Sequence, residues 1–130
     1  MADKIKIPKQ KQDKEKQFGV GVDIIEVKRV ETLIKKNTRF LTRVFTETEI
    51  SYCSSKANQY QHFAARFAAK EAFFKALGRK IPWTDVGIKN LPSGKPVLEI
   101  QSDINLSYRK AEVSISHLKE YAIAAVILSG

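Results

Sequence analysis

Apolar and polar positions along the chain change their spacing several times, and each change marks an expected element. Phe18-Gly19-Val20-Gly21-Val22-Asp23-Ile24 is an apolar run with two glycines, which predicts a buried strand ending in an acid. Val27, Val30, Leu33 and Ile34 then recur at helical spacing and leave Lys28, Arg29, Lys35 and Lys36 toward water, so a basic amphipathic helix follows. Thr46-Glu47-Thr48-Glu49 carries the hydroxyl and the glutamate of a capping box, and a short helix is expected to start there. A long helix from about Gln61 to Leu77 comes next, with Gly78 as its C-cap because glycine accepts the left-handed conformation at little cost.

Ile81-Pro82-Trp83 cannot continue that helix. Val86 to Leu91 reads as a strand, Pro92-Ser93-Gly94-Lys95-Pro96 as a turn, and Val97 to Ile100 as the returning strand. Glu112-Val113-Ser114-Ile115-Ser116-His117 alternates polar and apolar residues, and Tyr121 to Leu128 is apolar and β-branched, which predicts a hairpin. A short helix is expected over Ser102 to Lys110. Together these make an α+β domain from residue 18 to 130, a compact antiparallel sheet packed with a long helix.

Met1 to Gln17 contains six lysines and no aromatic residue, too little apolar surface to offset ordering entropy, so a flexible lysine-rich extension is expected. At 130 residues the chain is one domain by length, and a deep cleft would be hard to enclose without a second subunit. The single cysteine, Cys53, excludes an internal disulfide and fits a reducing compartment. No apolar run is long enough to cross a membrane and the N-terminus lacks the apolar core of a signal peptide, which points to a cytoplasmic protein. A net charge of +9 asks for an anionic partner: nucleic acid, a phosphorylated small molecule or an acidic protein.

Several residues carry chemistry beyond packing. Glu71 and Lys75 are four apart, so they share one stripe of a helix that is otherwise apolar on most sides. Asp23 and Glu71 offer two hard oxygen ligands from distant parts of the chain, a set that suits magnesium together with substrate phosphates. Each has a plainer alternative. Asp23 could be the N-cap of the basic helix, Glu71 and Lys75 an ordinary surface pair, His117 a satisfied structural histidine, and Gly94-Lys95-Pro96 a simple turn. Arg66 and Lys70 could merely keep the long helix soluble.

Gly19-Val20-Gly21-Val22-Asp23, Phe67-Ala68-Ala69-Lys70-Glu71-Ala72-Phe73-Phe74-Lys75-Ala76-Leu77-Gly78, Gly94-Lys95-Pro96 and Ser114-Ile115-Ser116-His117, in this order, resemble the signature of bacterial holo-acyl-carrier-protein synthases. The resemblance spans about Phe18 to Leu128. It implies a 4'-phosphopantetheinyl transferase-like fold and a magnesium-dependent transfer of 4'-phosphopantetheine from coenzyme A to a serine of apo acyl carrier protein, in fatty acid biosynthesis. Adenosine 3',5'-bisphosphate would leave.

By the same resemblance Asp23 and Glu71 bind the metal, and Lys75 adds positive charge to the transition state. Glu71 or a metal-polarised water held by Asp23 takes the serine proton. Lys70, Lys75, Gly78, Lys95, Pro96, Ser116 and His117 contact the nucleotide and phosphates. The family forms homotrimers with active sites between subunits, so His117 would serve a neighbour's metal site. Larger surfactin-type relatives carry a second acid two residues after the first; here that position is Ile25, and the small trimeric pattern is expected, with water completing the metal shell. The acidic carrier would meet the basic face of the first helix, at Arg29, Lys36, Arg39 and Arg43, with Val30, Leu33 and Phe40 as apolar contacts. A nucleic-acid-binding protein would match the charge but leaves Asp23, Glu71 and the apolar surroundings of Lys75 unexplained, and no aromatic-basic recognition motif is present.

Overall fold

The computed structural model describes residues 17–101 and 106–130. Apart from Gln17, the expected extension lies outside the described residues. Strand β1 (Phe18–Glu26) leads into helix α1 (Val27–Lys36), followed by α2 (Thr38–Val44), α3 (Glu47–Ser54) and the long α4 (Gln59–Leu77). A single 3-10 turn, Trp83–Asp85, precedes β2 (Val86–Asn90) and β3 (Pro96–Ile100), and the chain ends in β4 (Lys110–His117) and β5 (Tyr121–Ser129). The α+β expectation holds, with one refinement: the strands form two antiparallel sheets, β1-β5-β4 and β2-β3.

Helix α4 crosses the three-stranded sheet, and its apolar character on nearly every side reflects that central position. Ala64, Ala68, Ala69, Ala72 and Phe73 are each fully buried. The two glycines of β1 permit the approach. A Cβ on Gly21 would collide with the backbone carbonyl of Ala72, and one on Gly19 with that of Ala76. These glycines thus bring helix backbone against strand backbone.

The capping box is present as expected: Thr46 Oγ1 accepts from Glu49 N at 3.2 Å, and Glu49 Oε1 accepts from Thr46 N at 2.9 Å. Gly78 caps α4 with φ 82°, and Gly78 N donates to Phe74 O at 2.9 Å.

Four expectations need correction. Asp23 does not end its strand: β1 runs on to Glu26, and Asp23 pairs with Ala124 in mid-ladder, so it is not a helix N-cap. Strand β1 is buried on one face only, and Phe18, Val20, Val22 and Ile24 stand 54–68% exposed on the other. The basic segment is two helices, because Asn37 is extended (φ -139°) and its side chain accepts from Arg39 N, starting α2. The helix expected over 102–110 is absent from 106–109, and β4 begins at Lys110; residues 102–105 lie outside the described ones.

Candidate active site

Strand β1 alternates, so Gly19, Gly21 and Asp23 share the face turned toward α4. With Gly21 seated on Ala72, the Asp23 side chain meets the stripe of α4 that carries Glu71 and Lys75. Lys75 Nζ lies 3.1 Å from Asp23 Oδ1 and donates to Val22 O at 3.0 Å. Lys75 therefore pairs across to the strand and not with Glu71 along its own helix. The Asp23 side chain is 16% exposed and that of Lys75 54% exposed, so the pair opens to solvent on the lysine side. Glu71 is half-buried and makes no ion pair among the described residues. The α4 stripe thus carries one carboxylate and one ammonium, and β1 brings a second carboxylate to the ammonium.

Lys70 is one residue from Glu71 but belongs to another environment. Its side chain is fully buried, with Nζ 2.7 Å from Glu49 Oε1, donating also to Val44 O at 2.6 Å and Trp83 O at 3.0 Å. Burial lowers its pKa, and the charge and hydrogen bond of Glu49 oppose that fall. All three ammonium protons are spent, and no face is left for a nucleotide. The assignment of Lys70 to cofactor binding is corrected on that ground, as is the idea that it keeps α4 soluble. Glu49 Oε2 accepts from Ile88 N at 3.0 Å, so this clasp ties α3, α4 and β2 together.

A second group of polar residues lies at the start of α4. His117, on the inner face of β4, has Nδ1 2.8 Å from Gln61 Oε1, and its ring packs edge-on against His62 at 5.0 Å. His62 in turn meets Tyr52 at 5.6 Å, and the Arg66 guanidinium stacks over Tyr52 at 4.3 Å. Burial, then the charges of His117, Arg66 and Lys56, push the His62 imidazole below its ordinary value. Arg66, His117, Asn90 and Pro96 line a cavity of about 220 Å³. Arg66 is 4% exposed; its Nη2 donates to Asn90 Oδ1 at 2.7 Å, and its Nε has no hydrogen-bond partner among the described residues.

The sequence reading gave Arg66 only a solubilising role. The signal that could have found it is the surrounding run, since a helix apolar on all sides is central and a charge within it must be buried.

The other expected nucleotide contacts separate. Ser116 is exposed on the face of β4 opposite His117, as strand alternation requires. Lys95 is exposed in the β2–β3 turn and pairs with Glu112 at 3.1 Å, and Gly78 is exposed at the far end of α4. Fourteen residues of helix, about 21 Å, divide Gln61 from Lys75, so within one chain His117 is not part of the Asp23 cluster.

On the expected carrier face, Arg29, Lys36, Arg39 and Arg43 are exposed and make no ion pair among the described residues. Lys35 differs, because it pairs with Glu31 at 2.8 Å. Val30 is fully buried, which removes it as a carrier contact. Leu33 is half-buried, and the half-buried Phe40 packs on Phe45 and Phe67 with ring centroids 6.2 and 6.0 Å away.

Residues 19–126 match the family described as the 4'-phosphopantetheinyl transferase superfamily. The chain belongs to that superfamily. Among individual relatives, a holo-[acyl-carrier-protein] synthase of Koribacter versatilis is 42% identical over 121 residues, covering 85% of this chain and 97% of the relative. One from Geobacter metallireducens is 43% identical, with 85% and 96% covered. In three dimensions the chain is similar to the Bacillus anthracis synthase in complex with coenzyme A (3',5'-ADP), with TM-score 0.75, 35% identity and 86% and 96% coverage. The Helicobacter pylori synthase in complex with coenzyme A gives TM-score 0.75 at 30% identity, with 85% and 99% covered. This phosphopantetheinyl transferase is thus matched along nearly the whole length of such relatives.

Proposed function

We propose that this chain is a cytoplasmic holo-acyl-carrier-protein synthase, which transfers 4'-phosphopantetheine from coenzyme A to a serine of apo acyl carrier protein in fatty acid biosynthesis and releases adenosine 3',5'-bisphosphate. The observation that carries the reading is the Asp23–Lys75 pair formed across the glycine-permitted contact of β1 with α4, with Glu71 one turn before Lys75 on the same helix. The donor set fits magnesium: two carboxylates, Asp23 on β1 already held against the Lys75 cation and Glu71 on α4 without an ion pair among the described residues. When bound there, the ion would polarise the phosphorus under attack and neutralise the pyrophosphate.

The chain's own groups do the rest. Asp23 and Glu71 fix the anionic end of the site. Lys75, long and exposed, can leave Asp23 for a phosphate oxygen and offset the charge on the departing group. Glu71 accepts the serine proton, or a water held by Asp23 does so. Arg66, Pro96 and His117 supply a cavity for the nucleotide end of coenzyme A, with Lys95 beside Pro96 at its rim, while Gly78 lies at the other end of α4 beside the Lys75 side of the site.

Because His117 and Asp23 lie in separate clusters of one chain, a complete site takes Asp23, Glu71 and Lys75 from one subunit and His117 from its neighbour. A homotrimer formed through the exposed apolar face of β1 and β5 would supply it; Val20 is 68% exposed there and Ile127 49%. The basic residues Arg29, Lys36, Arg39 and Arg43 face the acidic carrier.

The test is incubation with apo carrier, coenzyme A and magnesium, scored by the mass gain of the phosphopantetheinyl group. No gain with a range of apo carriers would overturn the reading. For assembly, mixed trimers of Glu71→Gln and His117→Ala chains, each inactive alone, should recover part of the activity. Verified mixed trimers without recovery would place His117 in its own subunit's site.

A further inference from the structure

His117 has two ring nitrogens, and the structure commits one of them. Nδ1 lies 2.8 Å from Gln61 Oε1, while Nε2 has no hydrogen-bond partner among the described residues. A carboxamide oxygen can only accept, so a short contact with a ring nitrogen requires the proton to sit on that nitrogen. A free imidazole in water favours the opposite tautomer, with the proton on Nε2.

Gln61 is well placed to impose the choice. It lies in the first turn of α4, where Gln61 N donates to Asn58 O at 3.0 Å. His117 closes β4, held in register against Ala122 of the central strand. The edge-on contact with His62 limits rotation of the His117 ring, and Tyr52 backs His62. Both partners are thus carried on regular elements, the arrangement in which one hydrogen bond can fix a ring.

We propose that Gln61 is a positioning residue for His117: its side-chain oxygen holds the proton on Nδ1 and leaves the Nε2 lone pair as the ring's acceptor for ligand in the cavity lined by Arg66, Asn90 and Pro96. That cavity then offers an acceptor, His117 Nε2, beside the Arg66 guanidinium, a donor group that also lines it. Such a combination suits a group that both gives and takes hydrogen bonds, as a ribose hydroxyl or an adenine edge does. The ligand part rests on the coenzyme A reading above. The tautomer itself does not.

Nitrogen-15 NMR of histidine-labelled full-length protein at alkaline pH reads the tautomer directly, with His117→Asn assigning the signals. In the wild type Nδ1 should carry the proton. Gln61→Leu should revert the ring toward the Nε2–H form, and Gln61→Glu, which keeps an acceptor and has no donor, should retain the proton on Nδ1. A merely structural glutamine would not produce that split.

A wild-type ring protonated on Nε2, or a tautomer unchanged in Gln61→Leu, would overturn the proposal. The wild-type spectrum decides even if the leucine variant fails to fold. Coenzyme A titration adds the functional side, with Gln61→Leu expected to weaken binding about five- to tenfold, the loss of roughly one hydrogen bond. Wild-type affinity in that variant would overturn the ligand part. Absent coenzyme A binding by the wild type would instead count against the proposed function and leave the tautomer result standing.

Discussion

Helix α4 presents two lysines five residues apart, each paired with a carboxylate, and the two pairs do opposite things. Lys70 and Glu49 are 0% and 1% exposed, every proton of the ammonium has a partner, and both carboxylate oxygens accept backbone protons. Lys75 and Asp23 meet at 3.1 Å with the lysine 54% exposed. The first pair has no spare capacity and nowhere to move, so it can only hold elements together. The second keeps a carboxylate oxygen with no partner among the described residues and a solvated ammonium, which is what a site needs if ligands are to displace one partner. Each pair sets a lysine against a carboxylate; burial and hydrogen-bond saturation separate scaffold from chemistry.

The sharpest way to break this contrast is to remove Lys70. Lys70→Met strands the Glu49 carboxylate in the core, and breaking a buried pair in this way costs about 3–5 kcal/mol. Urea or thermal unfolding should show the loss, and Lys70→Met with Glu49→Leu should recover much of it. A fully stable Lys70→Met protein would mean the clasp is not structural.

On the other side, Glu71→Gln and Asp23→Asn should leave unfolding nearly unchanged and lower turnover about 100- to 1,000-fold, the range seen when one electrostatic contact to a transition state is lost. Rates at saturating magnesium check this. Undiminished turnover would remove the variant residue from the proposed metal site.

A smaller effect belongs to the basic face. Arg29→Glu inverts a charge outside the nucleotide cavity, so carrier binding should weaken by about 1–3 kcal/mol while coenzyme A affinity holds. The difference should shrink as salt rises. Equal carrier affinity for variant and wild type at low salt would sink the docking face.

How much of this contrast was legible in the sequence differs between the pairs. Asp23, Glu71 and Lys75 stood out because charged residues interrupt apolar runs, and motif order joined them. The capping box at Thr46 and the glycine at 78 were readable because they are local rules, satisfied within a few residues. Lys70 was not separable from Lys75 by pattern, since only the third dimension brings Glu49, Val44 and Trp83 around it. Val30 was misread for the same reason: a position at the seam of α1 and α4 follows the same spacing as one at its rim. Arg66 and Gln61 have partners 24 and 56 residues away, beyond any periodicity. The break at Asn37 was missed because it rests on one extended residue and one side-chain cap.

The smallest expected effect tests the exposed pair and is the most discriminating. Lys75→Ala removes an ion pair open to water, and exposed pairs contribute about 0–1 kcal/mol, so stability should scarcely change even as transfer activity falls. Cys53 gives a second readout. It is fully buried, and burial pushes its thiol up to about 12, so in the folded protein it has little thiolate to react with an alkylating reagent at pH 8. Its labelling therefore reports opening of the α3–α4 packing that Glu49 and Lys70 secure. Lys70→Met should accelerate labelling, while Lys75→Ala should label as slowly as the wild type. Fast labelling of Lys75→Ala would show that the exposed pair also holds the scaffold, and the division between the two lysines would fail.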